Sequence, residues 1–143
     1  MGEKQLEDVF LGVERRIQVS VSFLDCDGMN IVQFPKYLTY FEDGLVSLLH
    51  DLGYHSGQIF QERQIAFPVR ELTVKYHKPA HFDEELEIVS SIESLGTTSM
   101  VTASKAYRDG ELLAEGTSVR VCVSIVTGEK VPLVEVFHDI FSG

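Results

Sequence analysis

The stretch FLDCDGMNIVQFPKYLTYFEDG, residues 23–44, joins a polar loop to an aromatic segment with helical spacing. Gly28 suits the loop because glycine adopts positive φ without steric cost. Pro35 suits the first turn of a helix, where its missing N–H leaves no hydrogen bond unmade. The stretch therefore predicts a polar turn followed by a helix that begins near residues 34–36.

The predicted helix has an apolar stripe that is broader than that of a normal surface helix. Its apolar side chains recur at three- and four-residue steps, and two further leucines widen the stripe. These residues are Tyr37, Leu38, Phe41, Leu45, Leu48, Leu49 and Leu52. Gly53 follows as a C′ residue that would end the helix. We expect a long and largely buried helix.

Period-two patterns on both sides of this helix predict strands. The first runs from Ile17 to Leu24, with apolar residues at alternate positions. Four more runs, rich in β-branched residues, follow Pro68. They are VRELTVKYH, ELEIVSSIESL, TSMVTASKAYR and ELLAEGTSVRVCVSIV. Asp109-Gly110 predicts a hairpin between the last two runs.

The remaining segments are shorter. YHSGQIFQERQIAF is predicted to be irregular, with at most one helical turn, and VEVFHDIFSG to form a short terminal helix. Thr127-Gly128 is predicted to close the final strand. A single curved antiparallel sheet wrapped around the long helix is the simplest way to bury that helix. We therefore predict an α+β fold in one domain, residues 1–143.

Such a sheet has an unpaired edge, and it leaves the flanks of the helix uncovered. Long unpaired edges are prone to pair with other chains, and natural proteins protect them. We therefore expect a homo-oligomer, at least a dimer in which edge strands pair.

Composition narrows the class of function. The net charge is −10 and the Lys and Arg residues are scattered, which argues against nucleic-acid binding and against docking on anionic membranes. No apolar run approaches the ~20 residues of a membrane span, and the acidic start MGEKQLEDVF does not fit a signal peptide. We expect a cytoplasmic protein. Cys26, Cys122 and the histidines lack the spacing of a metal site, so no metal is predicted.

The quoted segments resemble a known family. DCDGMNIVQFPKYLTYFEDG is similar to the N-terminal signature of hotdog-fold acyl-CoA thioesterases of the 4-hydroxybenzoyl-CoA thioesterase type. VRELTVKYHKPAHFDEELEI and DGELLAEGTSVRVCVSIVTGEKVPL resemble later segments of that family, so the resemblance spans Ile17 to Leu133. It implies a hotdog dimer, or a dimer of dimers, that hydrolyses an acyl-CoA or acyl-carrier-protein thioester. No cofactor is implied beyond the coenzyme A of the substrate.

The resemblance also implies the catalytic groups. Asp27 corresponds to the family's catalytic carboxylate, and a backbone N–H near Phe34 to the donor that polarises the thioester carbonyl. A helix N-terminus favours a carboxylate in a partly dry pocket, and its N–H groups can stabilise an oxyanion. Asp27 is then either a nucleophile or a general base, and both remain open. Without the resemblance, an Asp-Gly pair is more often a turn or a helix cap.

Further candidates surround the predicted site. Candidates for contact with the acyl group are Asn30, Ile31, Tyr37 and Phe67. Asn30 also suits a loop-forming role, and Tyr37 a place in the core. Candidates for the phosphates of coenzyme A are Arg70, Lys75 and Lys78, together with Arg108 and Arg120. Each of these cations also fits a solvated strand or turn.

Other polar residues are predicted to have structural roles. Asp25 is read as a turn residue, and Cys26 as a small buried residue whose thiol pKa is raised by two flanking carboxylates. Another branch of hotdog thioesterases uses an acidic residue on the central helix, where Glu42 lies, but with Asp27 present Glu42 is expected to pair with a basic residue at a dimer interface. His77 and His81 are expected at the surface or in an interface.

Two other functions remain open from the sequence. A hotdog dehydratase pairs a histidine with a carboxylate to move protons, but Met29 occupies the loop position where a histidine would help. A non-catalytic binder of acyl thioesters is also possible, because a fold does not dictate chemistry.

Overall fold

The computed structural model describes residues 2–142, with side chains described through residue 138. The elements are, in chain order, α1 (Glu3–Phe10), β1 (Glu14–Ser20), α2 (Lys36–Asp51), α3 (Ser56–Arg63), β2 (Ile65–Ala66), β3 (Val69–Tyr76), β4 (Glu85–Leu95), β5 (Ser99–Arg108), β6 (Glu111–Val121), β7 (Val123–Ser124) and α4 (Leu133–Ser142). No helix within the described residues is both long and apolar enough to cross a membrane.

Five strands form one antiparallel sheet in the order β1-β4-β5-β6-β3. The strands β5 and β6 are joined by a hairpin in which Asp109 has φ 49° and Gly110 has φ 80°. Positive φ at both central residues defines the type I′ turn that matches the twist of the flanking strands. The predicted hairpin and the order of one strand, one helix and four strands are confirmed.

The helix α2 lies on this sheet, in contact with β1, β4 and β5. Its buried residues are Tyr37, Tyr40, Phe41, Gly44, Leu45, Leu48 and Leu49. Gly44 allows a close approach, because a Cβ atom there would overlap the Ser90 hydroxyl and lie 3.0 Å from Ile88 Cγ2. Gly53, with φ 94°, follows the end of the helix as predicted. The predicted central helix is therefore confirmed.

The core has two clusters, one at each end of α2. The first surrounds Tyr37, Tyr40 and Phe41 near the start of the helix. The second joins the last turns of α2 to α1 and α4 through Phe10 and Phe137, whose ring centroids are 4.6 Å apart. Helix α1 was not predicted, although Leu6 and Phe10 are spaced for one buried face.

Strand β3 is an edge of the sheet and is mostly exposed. Val69, Leu72 and Tyr76 are among the large apolar side chains that the chain exposes. An exposed edge strand of eight residues, half of them apolar, is a natural place for pairing with another strand.

The predicted C-terminal end of the first strand was wrong. The strand stops at Ser20 rather than Leu24, and a 3₁₀ turn follows at Phe23–Asp25. Phe23 is 71% and Leu24 is 81% exposed. The turn forms because the Asp25 carboxylate accepts a hydrogen bond from the Ser22 N–H at 3.1 Å, which redirects the chain despite the continued alternation.

Two later predictions also needed correction. The segment predicted to be irregular contains α3, a complete eight-residue helix of which Ile59 is the buried residue. The last long strand is interrupted at Cys122, and its final part, β7, pairs with β2 in a separate two-stranded sheet. Gly128, at φ 74°, lies in the turn after β7. The terminal helix α4 is confirmed.

Candidate active site

The polar stretch between β1 and α2 forms a narrow hairpin-like loop. Cys26 and Val32 are joined by an antiparallel β-bridge. Next to this bridge, the Asp27 N–H donates to the Ile31 carbonyl at 2.9 Å. The Gln33 N–H donates to the carbonyl of Asp25 at 2.9 Å. The loop therefore returns the chain to the start of α2 with Asp27 close to its tip.

The Asp27 carboxylate is held by backbone donors on one side only. Its Oδ1 accepts from the Met29 N–H at 2.8 Å and from the Ile31 N–H at 3.3 Å. Its Oδ2 accepts no hydrogen bond from the described residues. Asp27 is exposed in the single chain, so the partly dry pocket expected around it is not formed by one chain alone.

Asp25 fixes the loop to the helix. Its Oδ2 accepts from the Tyr40 hydroxyl at 2.7 Å and from the Ser22 N–H at 3.1 Å. Burial acts to raise the pKa of Asp25, but these hydrogen bonds to the charged form outweigh it and lower the pKa. Burial and the bond to Asp25 raise the pKa of the Tyr40 hydroxyl. The predicted turn role of Asp25 is confirmed.

The backbone N–H of Phe34 donates to none of the described residues. The peptide group that carries it is held through the Gln33 carbonyl, which accepts from the Lys36 N–H at 2.9 Å. The following peptide group is held as well, because the Phe34 carbonyl accepts from the Tyr76 hydroxyl at 2.9 Å and from the Tyr37 N–H at 3.3 Å. Pro35 caps the helix and has no N–H to offer. The Phe34 N–H is thus held in place and available as a donor.

A groove of about 280 Å³ lies at this end of α2. Its lining residues are Ile31, Val32, Phe34, Tyr37, Tyr76, His77, Lys78 and Pro79. The ring of Tyr76 lies 4.6 Å from that of Phe34 and 5.4 Å from that of Tyr37. Ile31 joins the groove to the Asp27 loop, so a carboxylate, a free N–H and an apolar wall lie together.

Two of the predicted acyl contacts lie elsewhere. Asn30 is exposed, does not line the groove and has φ 65°. Asparagine tolerates this left-handed conformation better than most residues, so its place in the structure is that of a loop former. Phe67 lies at the other end of α2, in the wall of a different cavity, with its ring 5.4 Å from that of Tyr54.

The predicted phosphate-binding cations are spread over the sheet. Lys78 lines the groove, with its Nζ 2.6 Å from Glu111 Oε2. Lys75 pairs in register with Glu115 on the face of the sheet turned away from α2. Arg70 is exposed at the start of β3, roughly 20 Å along the strand from Tyr76. The structure therefore brings only Lys78 close to the Asp27 loop.

The two remaining arginines are paired with carboxylates. Arg108 donates to Glu84 at 3.0 Å and to Glu111 at 3.0 Å. Arg120 donates to both carboxylate oxygens of Glu42, at 3.0 and 2.6 Å. Glu42 therefore has the basic partner that was predicted, and that partner is in the same chain.

The histidines and Cys26 have structural contacts. The backbone N–H of His81 donates to Glu84 Oε1 at 2.6 Å. His81 also forms an antiparallel β-bridge with Ile31, which supports the Asp27 loop. His77 lies in the groove wall, with Nε2 3.4 Å from Glu115. Burial, followed by the charges of two neighbouring carboxylates, raises the pKa of the Cys26 thiol, which confirms the predicted direction.

Two tyrosines at this site were missed from the sequence. Tyr40 binds Asp25 and Tyr76 binds the Phe34 carbonyl. In the aromatic run of the helix only Tyr37 was given a possible role in the site, and Tyr76 was read as part of an ordinary strand. Within the described residues, no group of three or more His, Cys, Asp and Glu side chains could hold a metal ion.

Sequence comparisons identify the family. A family model described as the Thioesterase-like superfamily matches residues 21–141. The chain belongs to this superfamily. The acyl-CoA thioester hydrolase YbgC from Escherichia coli is 32% identical over 109 residues, which cover 76% of this chain and 81% of that protein. The family predicted from the sequence is confirmed.

Solved structures agree on the fold. The hypothetical protein TT1821 from Thermus thermophilus superposes with a TM-score of 0.81 at 25% identity, over 91% of this chain and 97% of that chain. A 1,4-dihydroxy-2-naphthoyl-CoA thioesterase from Synechocystis superposes with a TM-score of 0.80 at 19% identity, over 91% of this chain and 96% of that chain. The predicted hotdog fold is confirmed.

Proposed function

We propose that this chain is an acyl-CoA thioesterase that uses Asp27 and the Phe34 N–H to hydrolyse the thioester. The observation that carries the proposal is the free Phe34 N–H beside a groove whose loop presents an available oxygen of Asp27. The name of the Escherichia coli relative, an acyl-CoA thioester hydrolase, supports the same reaction. The products are a free carboxylic acid and the thiol of coenzyme A.

The two groups have complementary roles. The thioester carbonyl oxygen accepts a hydrogen bond from the Phe34 N–H, which stabilises the negative charge that develops on attack. The Lys36 N–H holds the Gln33 carbonyl, which belongs to the same peptide group as the Phe34 N–H, so the donor is oriented before the substrate binds. Oδ2 is the Asp27 oxygen that takes part in the reaction, as a base or as a nucleophile, because Oδ1 is occupied by two backbone donors.

Asp27 has two possible chemical roles. As a general base it removes a proton from water, which adds to the carbonyl carbon and displaces the thiolate. As a nucleophile it displaces the thiolate itself and forms a mixed anhydride that water then cleaves. A single turnover in oxygen-labelled water distinguishes them, since only the anhydride route can place the label in the Asp27 carboxylate.

A second copy of the chain completes the site in this proposal. Asp27 and Phe34 are exposed in one chain, whereas catalysis of this kind is favoured in a site from which water is excluded. The exposed edge strand β3 borders the groove through Tyr76. Pairing of β3 with its counterpart in a homodimer would cover the groove and remove the exposed edge. A dimer of dimers is compatible with this arrangement.

The carrier part of the substrate remains outside the groove. Lys78 is the candidate for a phosphate contact, because it lines the groove mouth and cations bind phosphate oxygens strongly. We place the reaction in the cytoplasm, since Cys26 and Cys122 are both free thiols and a reducing compartment keeps them so.

A thiol-release assay tests the function. Wild-type protein, Asp27→Asn and the matched control Asp43→Asn are compared on aromatic, short, medium and long acyl-CoAs. Asp43 is an exposed carboxylate on α2 that lines none of the cavities described here. We expect Asp27→Asn to lose at least about a hundredfold in kcat/KM with an unchanged melting temperature, and Asp43→Asn to resemble the wild type.

Three results would contradict the proposal. The first is no thiol release from any acyl-CoA, with ligand binding retained, which would indicate a non-catalytic binder. The second is an unsaturated product with its thioester intact, which would indicate a dehydratase. The third is full activity in Asp27→Asn, which would place the chemistry on another group.

A further inference from the structure

A separate cavity lies beyond the groove, between α2 and the edge strand β3. Leu38, Glu42 and Val46 are each four residues apart on α2, so they lie in one row on the helix surface. The cavity has a volume of about 160 Å³, and its apolar side is formed by Leu38, Phe41, Val69 and Leu72, which suits an acyl chain. Its polar side is formed by the hydroxyl groups of β5 and β6, together with Glu42 and Arg120.

A further cavity lies beyond, toward the other end of the helix. It has a volume of about 220 Å³, and its lining includes Leu45, Val46, Leu49, Tyr54, Phe60 and Phe67. Glu42 and Arg120 are the two residues that line both this far cavity and the near one. The near cavity and the far cavity therefore meet at the ion pair between Glu42 and Arg120.

The ion pair between them is held by several hydrogen bonds. The Arg120 guanidinium donates to both oxygens of Glu42, and its Nε donates to the Ser118 hydroxyl at 3.1 Å. The Arg120 side chain is 12% exposed and the Glu42 side chain is 49% exposed. A two-pronged contact between planar groups fixes both partners more firmly than a single bond. Glu42 and Arg120 thus form a charged boundary between the two cavities.

We propose that the Glu42–Arg120 ion pair sets the upper limit on the length of the acyl group. This inference rests on the proposed thioesterase function. With the thioester carbonyl at the Phe34 N–H, the acyl chain extends along α2 and stops at Glu42. The far cavity, with Phe67 in its wall, receives an acyl chain only when the pair is removed.

The position of this boundary predicts the preferred length. Glu42 is eight positions after Phe34, with six of these steps within α2 and two in the turn before it, which together correspond to about 12 Å along the helix axis. An extended chain of roughly eight to ten carbons spans that distance. A longer chain must place methylene groups against the ion pair and remove the half-exposed Glu42 carboxylate from water, which is unfavourable. We therefore expect medium-length saturated acyl groups to be the longest that are hydrolysed efficiently.

The test compares chain-length profiles of kcat/KM for saturated acyl-CoAs. Glu42→Ala removes the acidic partner of the ion pair, and Arg120→Ala removes the basic partner. Each substitution opens the boundary between the two cavities. Glu42→Gln is the matched control, since it keeps the volume and can still accept from Arg120. Both alanine variants should hydrolyse chains beyond the wild-type limit, with a gain of about fourfold for each methylene that enters the far cavity. Glu42→Gln should keep the wild-type limit.

A second-site change tests the path itself. Val46→Phe, at an exposed position in the wall of the far cavity, should restore the wild-type limit when it is combined with Glu42→Ala. The inference is overturned if folded Glu42→Ala and Arg120→Ala proteins keep the wild-type limit, or if Glu42→Gln shifts it equally.

Failure of the proposed function gives a different result. A wild-type protein that releases no thiol at any chain length contradicts the function but still permits the ion pair to be tested. In that case calorimetric binding of the same acyl-CoAs replaces turnover. If wild-type binding has a limit of acyl length and Glu42→Ala removes it, the role of the ion pair is supported. If Glu42→Ala leaves that limit unchanged, the inference is overturned.

Discussion

The two ends of helix α2 differ in how far one chain completes them. At the C-terminal end, Leu48 and Leu49 pack into a buried cluster with Phe10 and Phe137. At the N-terminal end, Phe34 is 63% exposed, and its N–H has no partner within the described residues.

This difference separates stability from function along one helix. Both ends bury apolar area in a single chain, which is the main favourable contribution to folding, but the C-terminal end is also covered by α1 and α4. The N-terminal end leaves a donor, a carboxylate oxygen and an apolar groove without partners, and such groups are available to bind a substrate or a second chain. We therefore expect substitutions at the two ends to have separable effects.

The largest effect on stability is expected at the C-terminal end. Phe10→Ala removes a fully buried ring that packs edge-on against Phe137, and such truncations cost about 3–5 kcal/mol. Phe23→Ala, at an exposed ring in the 3₁₀ turn before the Asp27 loop, should cost less than about 1 kcal/mol. Urea unfolding of both variants measures the difference. Similar losses in the free energy of unfolding for the two variants would contradict this difference between the two ends.

An intermediate effect is expected at the middle of the helix. Gly44→Ala adds a methyl group that overlaps the Ser90 hydroxyl, and overpacking of this kind costs about 1–3 kcal/mol. Because the Ser90 hydroxyl is buried and has no hydrogen-bond partner among the described residues, Ser90→Ala alone should not destabilise the protein. The double variant should recover most of the stability, as measured by thermal unfolding. No recovery would show that the helix backbone, rather than Ser90, sets the spacing.

A smaller effect, dependent on pH, is expected where the loop joins the helix. Tyr40→Phe removes the hydroxyl that binds Asp25 and should cost about 1 kcal/mol at neutral pH. The folded-state pKa of Asp25 lies below its ordinary value of 3.8. The stability that this carboxylate contributes is therefore complete above that value and is lost as the pH falls through the folded pKa.

The difference between wild type and Tyr40→Phe should shrink as the pH is lowered below about 4. Urea unfolding at neutral and acidic pH measures it. A constant difference over the whole range would mean that Tyr40 acts through packing rather than through the charge of Asp25.

The smallest effect is expected at the groove mouth. Lys78→Ala should raise the KM for acyl-CoA by about fivefold, as loss of one exposed charge contact allows. It should leave the KM for an acyl thioester without phosphates unchanged. Lys75→Ala, on the opposite face of the sheet, is the matched control and should change neither value. An equal rise in the KM for acyl-CoA in Lys75→Ala and Lys78→Ala would indicate general electrostatic attraction rather than a direct contact between Lys78 and a phosphate.

Much of the framework was predictable because single segments determine it. The apolar stripe of α2, the period-two runs of β3 to β6 and the Asp109-Gly110 turn each encode local geometry that the structure keeps. Helix α1 was missed because the acidic start of the chain was considered only as a targeting signal. Its Leu6 and Phe10 are buried through α4, a contact between distant segments.

The site was predictable in part. The quoted motif located Asp27 and Phe34 in one loop, but it did not reveal that Tyr40 ties this loop to α2 through Asp25 or that Tyr76 binds the Phe34 carbonyl. Those contacts depend on how the helix and the edge strand meet, which no local pattern encodes. Phe67 was grouped with the site on its aromatic character, and the fold places it at the other end of α2.

The most direct test of the central claim is a crystal structure of Asp27→Asn with an acyl-CoA bound. The account predicts the thioester carbonyl oxygen within about 3.2 Å of the Phe34 nitrogen, next to residue 27 and with the acyl chain directed along α2. A thioester bound away from the Phe34 N–H would contradict it.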